Sequence, residues 1–380
     1  MSEQEFLKEL EDKLWRTANT LRSNIAAALY RDVVLGMVFL KYVSDSLEIR
    51  RQELREGFSD PEFDYYLGDD ADEAFISEEL ENRDYYIEKN VFWVPKSARW
   101  DYIKDNSRLS IGSPLSLGGE FKGVDKFLDD TMDKIEKENP KLKNILNKGY
   151  SRLDIDQSKL ADLVDLISTI PFHHESLGAK DILGHVYEYF LGKFALEEGQ
   201  NGGKFYTPKS IVNLIVEMVE PYKGRVYDPA MGSGGFFVSS EKFINEHSGS
   251  IKDISIYGQE KNSVSSGIAR MNTLLHGYED AKIKQGDTLE KPEFLIKDKL
   301  QKFDVILANP PYSIKKWNQK KWEQDPYSRN LYGVPPQSKA DFAFIEHIAS
   351  SLTDNGRAAI LLPHGVLFRD GEESLRKNIL

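Results

Sequence analysis

The feature of this 380-residue sequence that most constrains its fold is an alternation of short apolar runs with stretches of helical periodicity after Pro171. The apolar runs are "RVYDPA", "ISIYGQE", "AKIKQGD", "FDVILANP" and "RAAILLP". Runs such as Val305–Ala308 are apolar at consecutive positions, which is typical of a parallel strand covered by helices on both faces. We therefore predict a doubly wound α/β sheet, whose ligands bind at the carboxyl ends of the strands.

The first 170 residues have a different pattern, in which apolar positions recur at spacings of three and four residues or their multiples. Those positions are Phe6, Leu10, Leu14, Leu21, Ile25 and Leu29. A second helix is predicted from about Asp32 to Leu54, with short helices and ordered loops over 55–120. The predicted domains are a mainly helical N-terminal domain at 1–170 and an α/β domain at 171–380.

Two further helices are predicted at the start of the α/β domain. The first covers roughly Ala179–Leu196 and is followed by the glycine-rich stretch "EEGQNGGKFYTPK". The second is "KSIVNLIVEMVE", for which Thr207 is the predicted N-cap and Pro208 the first-turn residue.

Composition excludes several classes of protein. The absence of cysteine excludes disulfides, cysteine-ligated zinc clusters and thiol nucleophiles. No apolar stretch approaches the roughly 18 residues that span a bilayer. The acidic N-terminus "MSEQEFLKEL" lacks the basic and apolar layout of a signal peptide. We expect a cytoplasmic protein without membrane contact.

The formal net charge is −12, but it is unevenly distributed. The segment 60–90 holds twelve acidic residues and two basic ones, a charge of −10, so −2 remains for all other residues. The segment is interpreted as a solvated acidic loop, or alternatively as a surface that repels or mimics nucleic acid. The total charge therefore does not exclude nucleic-acid binding.

The glycine-rich stretch "DPAMGSGGFF" at 228–237 follows the first predicted strand and precedes a helix expected to start near Gly235. Gly232, Gly234 and Gly235 allow a ligand close to the backbone, and a helix N-terminus favours a negatively charged group. The dinucleotide-binding pattern is not satisfied, because Phe237 occupies the place of its third glycine. Alone, this stretch also fits a plain connection from strand to helix.

Acidic residues follow at the ends of the next two predicted strands. Glu260 lies 25 residues after Gly235, where a carboxylate can accept hydrogen bonds from a ribose diol. Asp287 ends the third strand and can accept a hydrogen bond from an exocyclic amine such as that of adenine. Either acid alone also fits a loop or helix cap. Together with the glycine loop, they predict a cofactor that contains a nucleoside.

The fourth strand ends in Asn309, Pro310, Pro311 and Tyr312. Proline fixes its own φ and has no N–H, so the neighbouring carbonyls remain free to accept hydrogen bonds. The side-chain oxygen of Asn309 and the carbonyl of Pro310 can then converge on one NH₂ group. Tyr312 offers a flat face on which a base can stack. The alternative interpretation is a proline-rich turn.

These motifs resemble those of the amino-group DNA methyltransferases that use S-adenosylmethionine. The resemblance rests on "GGKFYTP", "DPAMGSGG" and "NPPY", whose order is similar to that of the adenine-N6 subgroup. The helical N-terminal region with "FWVPKSARW" narrows it to the modification subunit of type I restriction-modification systems. It implies a doubly wound, mainly parallel methyltransferase-type sheet preceded by a mainly helical domain.

The resemblance also implies roles for matching positions. Asn309, Pro310 and Tyr312 would hold a target adenine that is flipped out of the duplex, because its N6 cannot be reached while the base is stacked. The cofactor-binding positions that it implies are Lys204, Phe205, Tyr206, Thr207, Pro208, Lys209, Asp228, Gly232, Ser233, Gly234, Gly235, Glu260 and Asp287. Thr207 would lie near the methionine carboxylate. No metal is expected, and the pair His173-His174 is interpreted as part of a loop.

Partners implied by the resemblance are double-stranded DNA, a specificity subunit, a second modification subunit and, in the full complex, a restriction subunit. No target-recognition domain is evident, so the specificity subunit is expected to select the sequence. Soon after the fifth strand the chain ends, at Leu380. The antiparallel C-terminal strands and helical tail that the resemblance implies are therefore expected to be absent from it.

Two alternative functions fit the same motifs. One is methyl transfer to a protein glutamine or an RNA base, and the other is a cofactor-binding scaffold without activity. The segment 313–329 carries five basic and two acidic residues with Trp317 and Trp322. It is interpreted either as a solvated loop or as a flexible segment that orders on DNA.

Overall fold

The computed structural model describes residues 3–22, 27–89, 91–143, 145–146, 148–153, 155–171, 179–198, 207–247, 249–278, 280–315 and 317–380. It divides into two compact units, Met1–Glu198 and Gly199–Leu380. No helix among the described residues is both long and apolar enough to cross a membrane.

The first unit is built from helices, as its periodicity predicts. They are α1 (Glu3–Leu21), α2 (Ala27–Gly57), α3 (Glu73–Glu79), α4 (Asp84–Ile87), α5 (Trp100–Asn106), α6 (Val124–Glu138), α7 (Gln157–Ser168) and α8 (Ala179–Glu198). Helix α2 packs against α5, α7 and α8. Its consecutive buried residues, Val33 to Leu35 and Met37 to Leu40, agree with the predicted burial on more than one face.

The acidic segment 60–90 is folded onto this unit, at least over its described residues. Glu81 pairs with Arg51 of α2 at 2.7 Å and with Arg99 at 3.1 Å. Tyr86 of α4 is fully buried and donates its hydroxyl hydrogen to the carbonyl of Leu80 at 2.7 Å. Part of this charge therefore serves packing within the unit.

The second unit alternates strands and helices. Its elements are α9 (Lys209–Val219), β1 (Gly224–Asp228), α10 (Gly235–Glu246), β2 (Ile254–Glu260), α11 (Ser263–Leu275), β3 (Lys282–Gln285), β4 (Leu295–Ile296), β5 (Lys299–Leu300), β6 (Phe303–Ala308), α12 (Gln319–Trp322), α13 (Asp341–Ser351), β7 (Leu352–Ile360) and α14 (Glu373–Ile379). Strands β4 and β5 form a short antiparallel hairpin.

Five strands form one parallel sheet in the order β3-β2-β1-β6-β7. The chain builds outward from β1 in one direction and then crosses to β6, so the order reverses between β1 and β6. The predicted doubly wound α/β fold is confirmed, because both faces of this sheet are covered. In such folds the reversal point leaves a crevice at the carboxyl ends of the strands.

Alternate residues of the strands build a core on each face. One core contains Val226 and Val305 and is covered by α9, α10 and α11. The other contains Tyr227 and Ile306, with Ile348 of α13 packed against them. Because both members of each consecutive pair are buried, the strands show the continuous apolar runs from which they were predicted.

Two local predictions differ from the structure. Pro208, not Thr207, occupies the N-cap of α9, and its carbonyl accepts from the N–H groups of Ile211 and Val212. The predicted cap is wrong by one position, and the Thr207 hydroxyl instead accepts from Nδ2 of Asn309. The last strand was expected near 358–362 but runs over Leu352–Ile360, with an irregularity in its pairing to β6 between Phe303 and Val305.

The predicted domain boundary at residue 170 stays a prediction. Helix α8 lies within the first compact unit, which extends to Glu198.

Candidate active site

An open cavity lies at the carboxyl ends of β1 and β6, where the strand order reverses. Its empty volume, which includes space open to solvent, is about 430 Å³. Its lining residues are Thr207, Val212, Asp228, Ala230, Met231, Gly232, Ser233, Gly235, Phe236 and Asn309. Six of these are residues that the sequence predicted: Thr207, Asp228, Gly232, Ser233, Gly235 and Asn309.

The glycine loop between β1 and α10 forms one wall. Gly232 and Gly234 have φ of 54° and 85°, a conformation that glycine adopts at little cost. Gly234 is the N-cap of α10, so the helix begins at the cavity, as predicted. A Cβ placed on Gly235 would meet no atom within 4 Å, so this glycine leaves open space beside the cavity that it lines.

Two buried carboxylates lie behind the loop. Asp228 ends β1, and its Oδ1 accepts from the N–H of Ala230 at 2.9 Å. Glu260 ends β2, where its Oε2 accepts from the N–H of Gly232 at 3.0 Å and its Oε1 from that of Asn262 at 2.7 Å. Glu260 therefore ties the glycine loop to the neighbouring strand. Its two carboxylate oxygens retain further lone pairs for a ligand.

Burial raises the pKa of both carboxyls. The pKa of Asp228 lies well above its ordinary value, chiefly through burial and also through the nearby charge of Glu260. Burial likewise raises the pKa of Glu260, against the backbone N–H groups that favour its charged form. A pair of buried acids in this state favours a cationic ligand, which would offset both the burial and their mutual repulsion.

Asp287 follows β3 and forms a turn. Its Oδ1 accepts from the N–H of Leu289 at 3.0 Å, and its Oδ2 pairs with Nζ of Lys261 at 2.7 Å. The hydrogen bond to Asp287 raises the pKa of the Lys261 ammonium. Asp287 does not line the cavity as the described residues form it. Because its carboxylate is paired with Lys261, a ligand that binds this carboxylate would compete with the lysine.

Asn309 is held from two sides directly after β6. Its Nδ2 donates to Oγ1 of Thr207 at 2.9 Å, and its Oδ1 accepts from the hydroxyl of Tyr312 at 2.8 Å. Tyr312 is 45% exposed, whereas Pro310 is buried. The tetrapeptide thus presents an oriented amide beside a solvent-accessible ring, and the amide oxygen is bonded to the tyrosine hydroxyl.

Two further predicted residues, Gly234 and Pro208, do not line the cavity. Gly234 and Pro208 are helix N-caps at its edge, and Lys209 begins α9. Lys204, Phe205 and Tyr206 lie outside the described residues, as do His173 and His174. No cluster of three or more potential metal ligands occurs among the residues that were described.

Sequence reasoning missed one support of the glycine loop. Asn272 of α11 is fully buried, and its Nδ2 donates to the carbonyl of Ser233 at 3.0 Å. The sequence signal for it was a polar residue among the apolar residues of an amphipathic helix. Such a residue is expected to be buried, and a buried amide must find hydrogen-bond partners.

The stretch 313–340 is called the post-motif segment. Its described residues are folded. Trp317 and Trp322 are buried in a cluster with Leu289 and Phe344. Neither description of 313–329, as a solvated loop or as a flexible segment, fits these buried rings. Arg329, one of its five basic residues, is also buried and so is not available to DNA.

The site combines an acidic pocket with an oriented amide and an aromatic ring. Asp228 and Glu260 can stabilise a cationic ligand, and the second lone pair of the Asn309 oxygen can accept a hydrogen bond from an amine. This chemistry suits transfer of a group from a cationic donor to an amine, in which positioning supplies most of the catalysis.

Comparisons with known proteins identify the family of this chain. Residues 178–380 match the family model described as N-6 DNA Methylase, and residues 10–170 match the HsdM N-terminal domain. The methylase subunit of the HindI type I restriction enzyme from Haemophilus influenzae is 44% identical over 299 residues, covering 76% of this chain and 66% of that protein. The MjaIX methylase subunit from Methanocaldococcus jannaschii is 33% identical, covering 99% and 65%.

A solved structure is similar over nearly the whole chain. The methyltransferase subunit of a type I restriction-modification system from Streptococcus thermophilus has a TM-score of 0.73 and 26% identity, covering 98% of this chain and 78% of that one. The chain spans about two thirds of the length of the HindI and MjaIX subunits. With a family model matched over more than half of its residues, the chain belongs to the N-6 DNA methylase family.

Proposed function

We propose that this chain transfers a methyl group from S-adenosylmethionine to N6 of an adenine in double-stranded DNA, as the modification subunit of a type I restriction-modification complex. The observation that carries the proposal is the oriented amide of Asn309 at the cavity that Asp228 also lines, with the buried carboxylate of Glu260 hydrogen-bonded to the glycine loop of that cavity. Membership of the N-6 DNA methylase family supports the choice of acceptor.

The residues of the cavity fit this cofactor. When bound, S-adenosylmethionine supplies a methyl group on a positively charged sulfonium. Asp228 would face the cationic methionine and sulfonium portion, together with Gly232, Ser233, Gly234 and Gly235. Glu260 would accept hydrogen bonds from the ribose hydroxyls. Asp287 would accept one from the cofactor's adenine in place of Lys261.

The methionine end of the cofactor would lie against the start of α9. The residues proposed there are Lys204, Phe205, Tyr206, Thr207, Pro208 and Lys209. Thr207 would then have two roles, because its hydroxyl also holds the amide of Asn309.

Asn309, Pro310 and Tyr312 would act on the flipped adenine. The Asn309 oxygen and the Pro310 carbonyl would accept the two N6 hydrogens, which localises the nitrogen lone pair and makes it nucleophilic. Tyr312, with its exposed ring, would stack on the base. Its hydroxyl donates to the Asn309 oxygen at 2.8 Å, which leaves a second lone pair of that oxygen for N6.

The proposed partners are DNA, a specificity subunit, a second modification subunit and a restriction subunit, in the cytoplasm. The test is transfer of a labelled methyl group from S-adenosylmethionine to DNA that lacks N6 methylation, with and without a co-expressed specificity subunit. We expect methylation at defined sites only when the specificity subunit is present. Labelled RNA or protein with unlabelled DNA would contradict the proposed acceptor, and the absence of any transfer in the presence of the specificity subunit would favour a scaffold.

Asn309→Ala tests the mechanism within the same assay. Loss of the proposed acceptor should lower transfer by about a hundredfold or more, a typical cost of removing one polar group from a catalytic site. Its affinity for S-adenosylmethionine should stay within about threefold of wild type, since Asp228 and Glu260 remain. Glu260→Ala is the matched control and should weaken cofactor binding by more than about tenfold. Unchanged transfer by Asn309→Ala would refute the mechanism.

A further inference from the structure

Arg329 is a buried cation outside the cavity. Its side chain is 1% exposed, and both its Nε and its Nη2 donate to the carboxylate of Asp325, at 3.0 and 2.7 Å. The guanidinium also lies 4.3 Å from the ring centroid of Trp322. The bidentate ion pair and the stacking on the ring together fix the guanidinium in one orientation. The planar guanidinium of arginine can form both contacts, and the ammonium group of lysine cannot.

The fixed guanidinium holds the turn that contains Asp287. Its Nη1 donates to the carbonyl of Thr288 at 2.8 Å, and its Nη2 to that of Leu289 at 3.0 Å. On the other side of the same turn, Asp287 accepts from the N–H groups of Leu289 and Glu290. The turn is therefore held through both its carbonyl and its N–H groups.

The same network reaches the end of β1. The hydroxyl of Thr288 donates to the carbonyl of Pro229 at 2.5 Å, next to Asp228. His347 lies between Arg329 and Tyr227, with its ring nitrogens 3.4 Å from Nη1 and 3.2 Å from the tyrosine oxygen. Arg329 thus contacts, directly or through one residue, two of the loops to which cofactor contacts were assigned.

We propose that Arg329 is a positioning residue for the cofactor: clamped by Asp325, it holds the carbonyls of Thr288 and Leu289 and so fixes the turn that presents Asp287. This rests on the proposed function in that the ligand of the turn is taken to be the adenosine part of S-adenosylmethionine. Arg329 does not touch the methyl donor or the acceptor base, so its loss should alter binding more than the chemical step.

The test is Arg329→Lys, which keeps the charge but has three donors on one nitrogen and so cannot reproduce the bidentate pair with Asp325 together with both carbonyl bonds. We expect its Kd for S-adenosylmethionine and for S-adenosylhomocysteine, measured by calorimetry, to rise at least tenfold. The KM for the cofactor should rise equally, while kcat at saturating cofactor stays within threefold. Loss of kcat with unchanged KM would mean a smaller folded fraction and would overturn the proposal.

Glu346→Gln is the matched control. Glu346 is buried in the same region and accepts from Nε1 of Trp322 at 2.6 Å and from the N–H of Tyr332 at 3.0 Å, but within the described part of the chain it makes no hydrogen bond to the turn. At a comparable loss of thermal stability it should leave the Kd within threefold. An equal loss of affinity in both variants would contradict positioning by Arg329.

Asp325→Asn covers the case in which Arg329→Lys fails to fold. It removes the charge that clamps the guanidinium and should raise the Kd for S-adenosylmethionine by at least threefold. An unchanged Kd would overturn the proposal. The two proposals fail separately. Cofactor binding without DNA methylation by wild type would overturn the proposed function alone, whereas methylation by wild type with unaltered affinity in Arg329→Lys would overturn this inference alone.

Discussion

At the scale of single residues, Tyr312 has two separable parts. Its ring is exposed enough to stack on a base, and its hydroxyl is bonded to the Asn309 oxygen that the proposed mechanism needs. Tyr312→Phe keeps the ring and removes only the hydroxyl. We expect methyl transfer within about threefold of wild type, because Thr207 still holds the amide and its oxygen can accept from N6 with or without the hydroxyl.

Tyr312→Ala is the contrasting variant. Loss of a base–aromatic contact costs about 1–3 kcal/mol, so the KM for DNA should rise by roughly 5- to 150-fold. Both variants are measured in the labelled-methyl assay with the specificity subunit present. If Tyr312→Phe loses as much activity as Tyr312→Ala, the hydroxyl has a positive role that the bond to Asn309 does not explain.

The second prediction at this scale concerns pH. Burial raises the pKa of Asp228 and of Glu260, and a cationic ligand favours their charged forms. The free protein therefore takes up protons as pH falls, and the cofactor must displace them. We expect affinity for S-adenosylmethionine to fall from about pH 8 to about pH 5, with protons released on binding.

Calorimetry in two buffers of different ionisation enthalpy measures that proton release. The sign for stability is opposite, because a carboxyl whose pKa is raised on folding stabilises the cofactor-free protein at low pH and loses this contribution as pH rises through the raised pKa. Glu260→Gln should flatten the pH dependence of binding. A wild-type affinity that is constant over this range would contradict a role for these carboxylates in holding the cation.

At the scale of elements, the strand ends were the predictable part of the site. Because parallel strands all end at one edge, Asp228, Glu260 and Asn309 could be assigned to one edge of a sheet before any coordinates were known. The glycine loop was equally accessible, since Gly232 and Gly234 have the left-handed φ that glycine permits.

The post-motif segment could not be predicted in the same way. Most of it is irregular, so no periodicity tells which side chains point inward, and its basic charge suggested a solvated surface. The structure buries Trp317, Trp322 and Arg329 there. The bond between Thr207 and Asn309 was equally inaccessible, because it joins residues 102 positions apart in irregular backbone.

At the scale of the whole molecule, the cavity lies entirely within the second compact unit. A ligand that binds only the folded form stabilises it by about 2.7 kcal/mol at a concentration of 100 times its Kd. We therefore expect S-adenosylmethionine to slow amide hydrogen exchange in peptides that cover β1, β2 and β6, as measured by mass spectrometry on the full chain.

The control is Glu260→Ala, in which this protection should be lost at the same cofactor concentration. Protection that persists in Glu260→Ala, or its absence from wild type, would place the cofactor elsewhere. The exchange measurement needs no DNA and no partner subunit, so it reports on binding separately from methyl transfer.

The hydrogen bonds of Asn309 have a consequence for the encounter with a target base in DNA. With Thr207 on one side of the amide and Tyr312 on the other, its nitrogen and its oxygen each have a partner within the chain. Because an amide oxygen has two lone pairs, the bond from Tyr312 leaves one of them for an N6 hydrogen. In the proposed function the amide is therefore oriented before the base arrives, and an extruded adenine would meet its acceptor without rearrangement of that side chain. The entropy of ordering the amide would be lost once, on folding, and not at each encounter with a base.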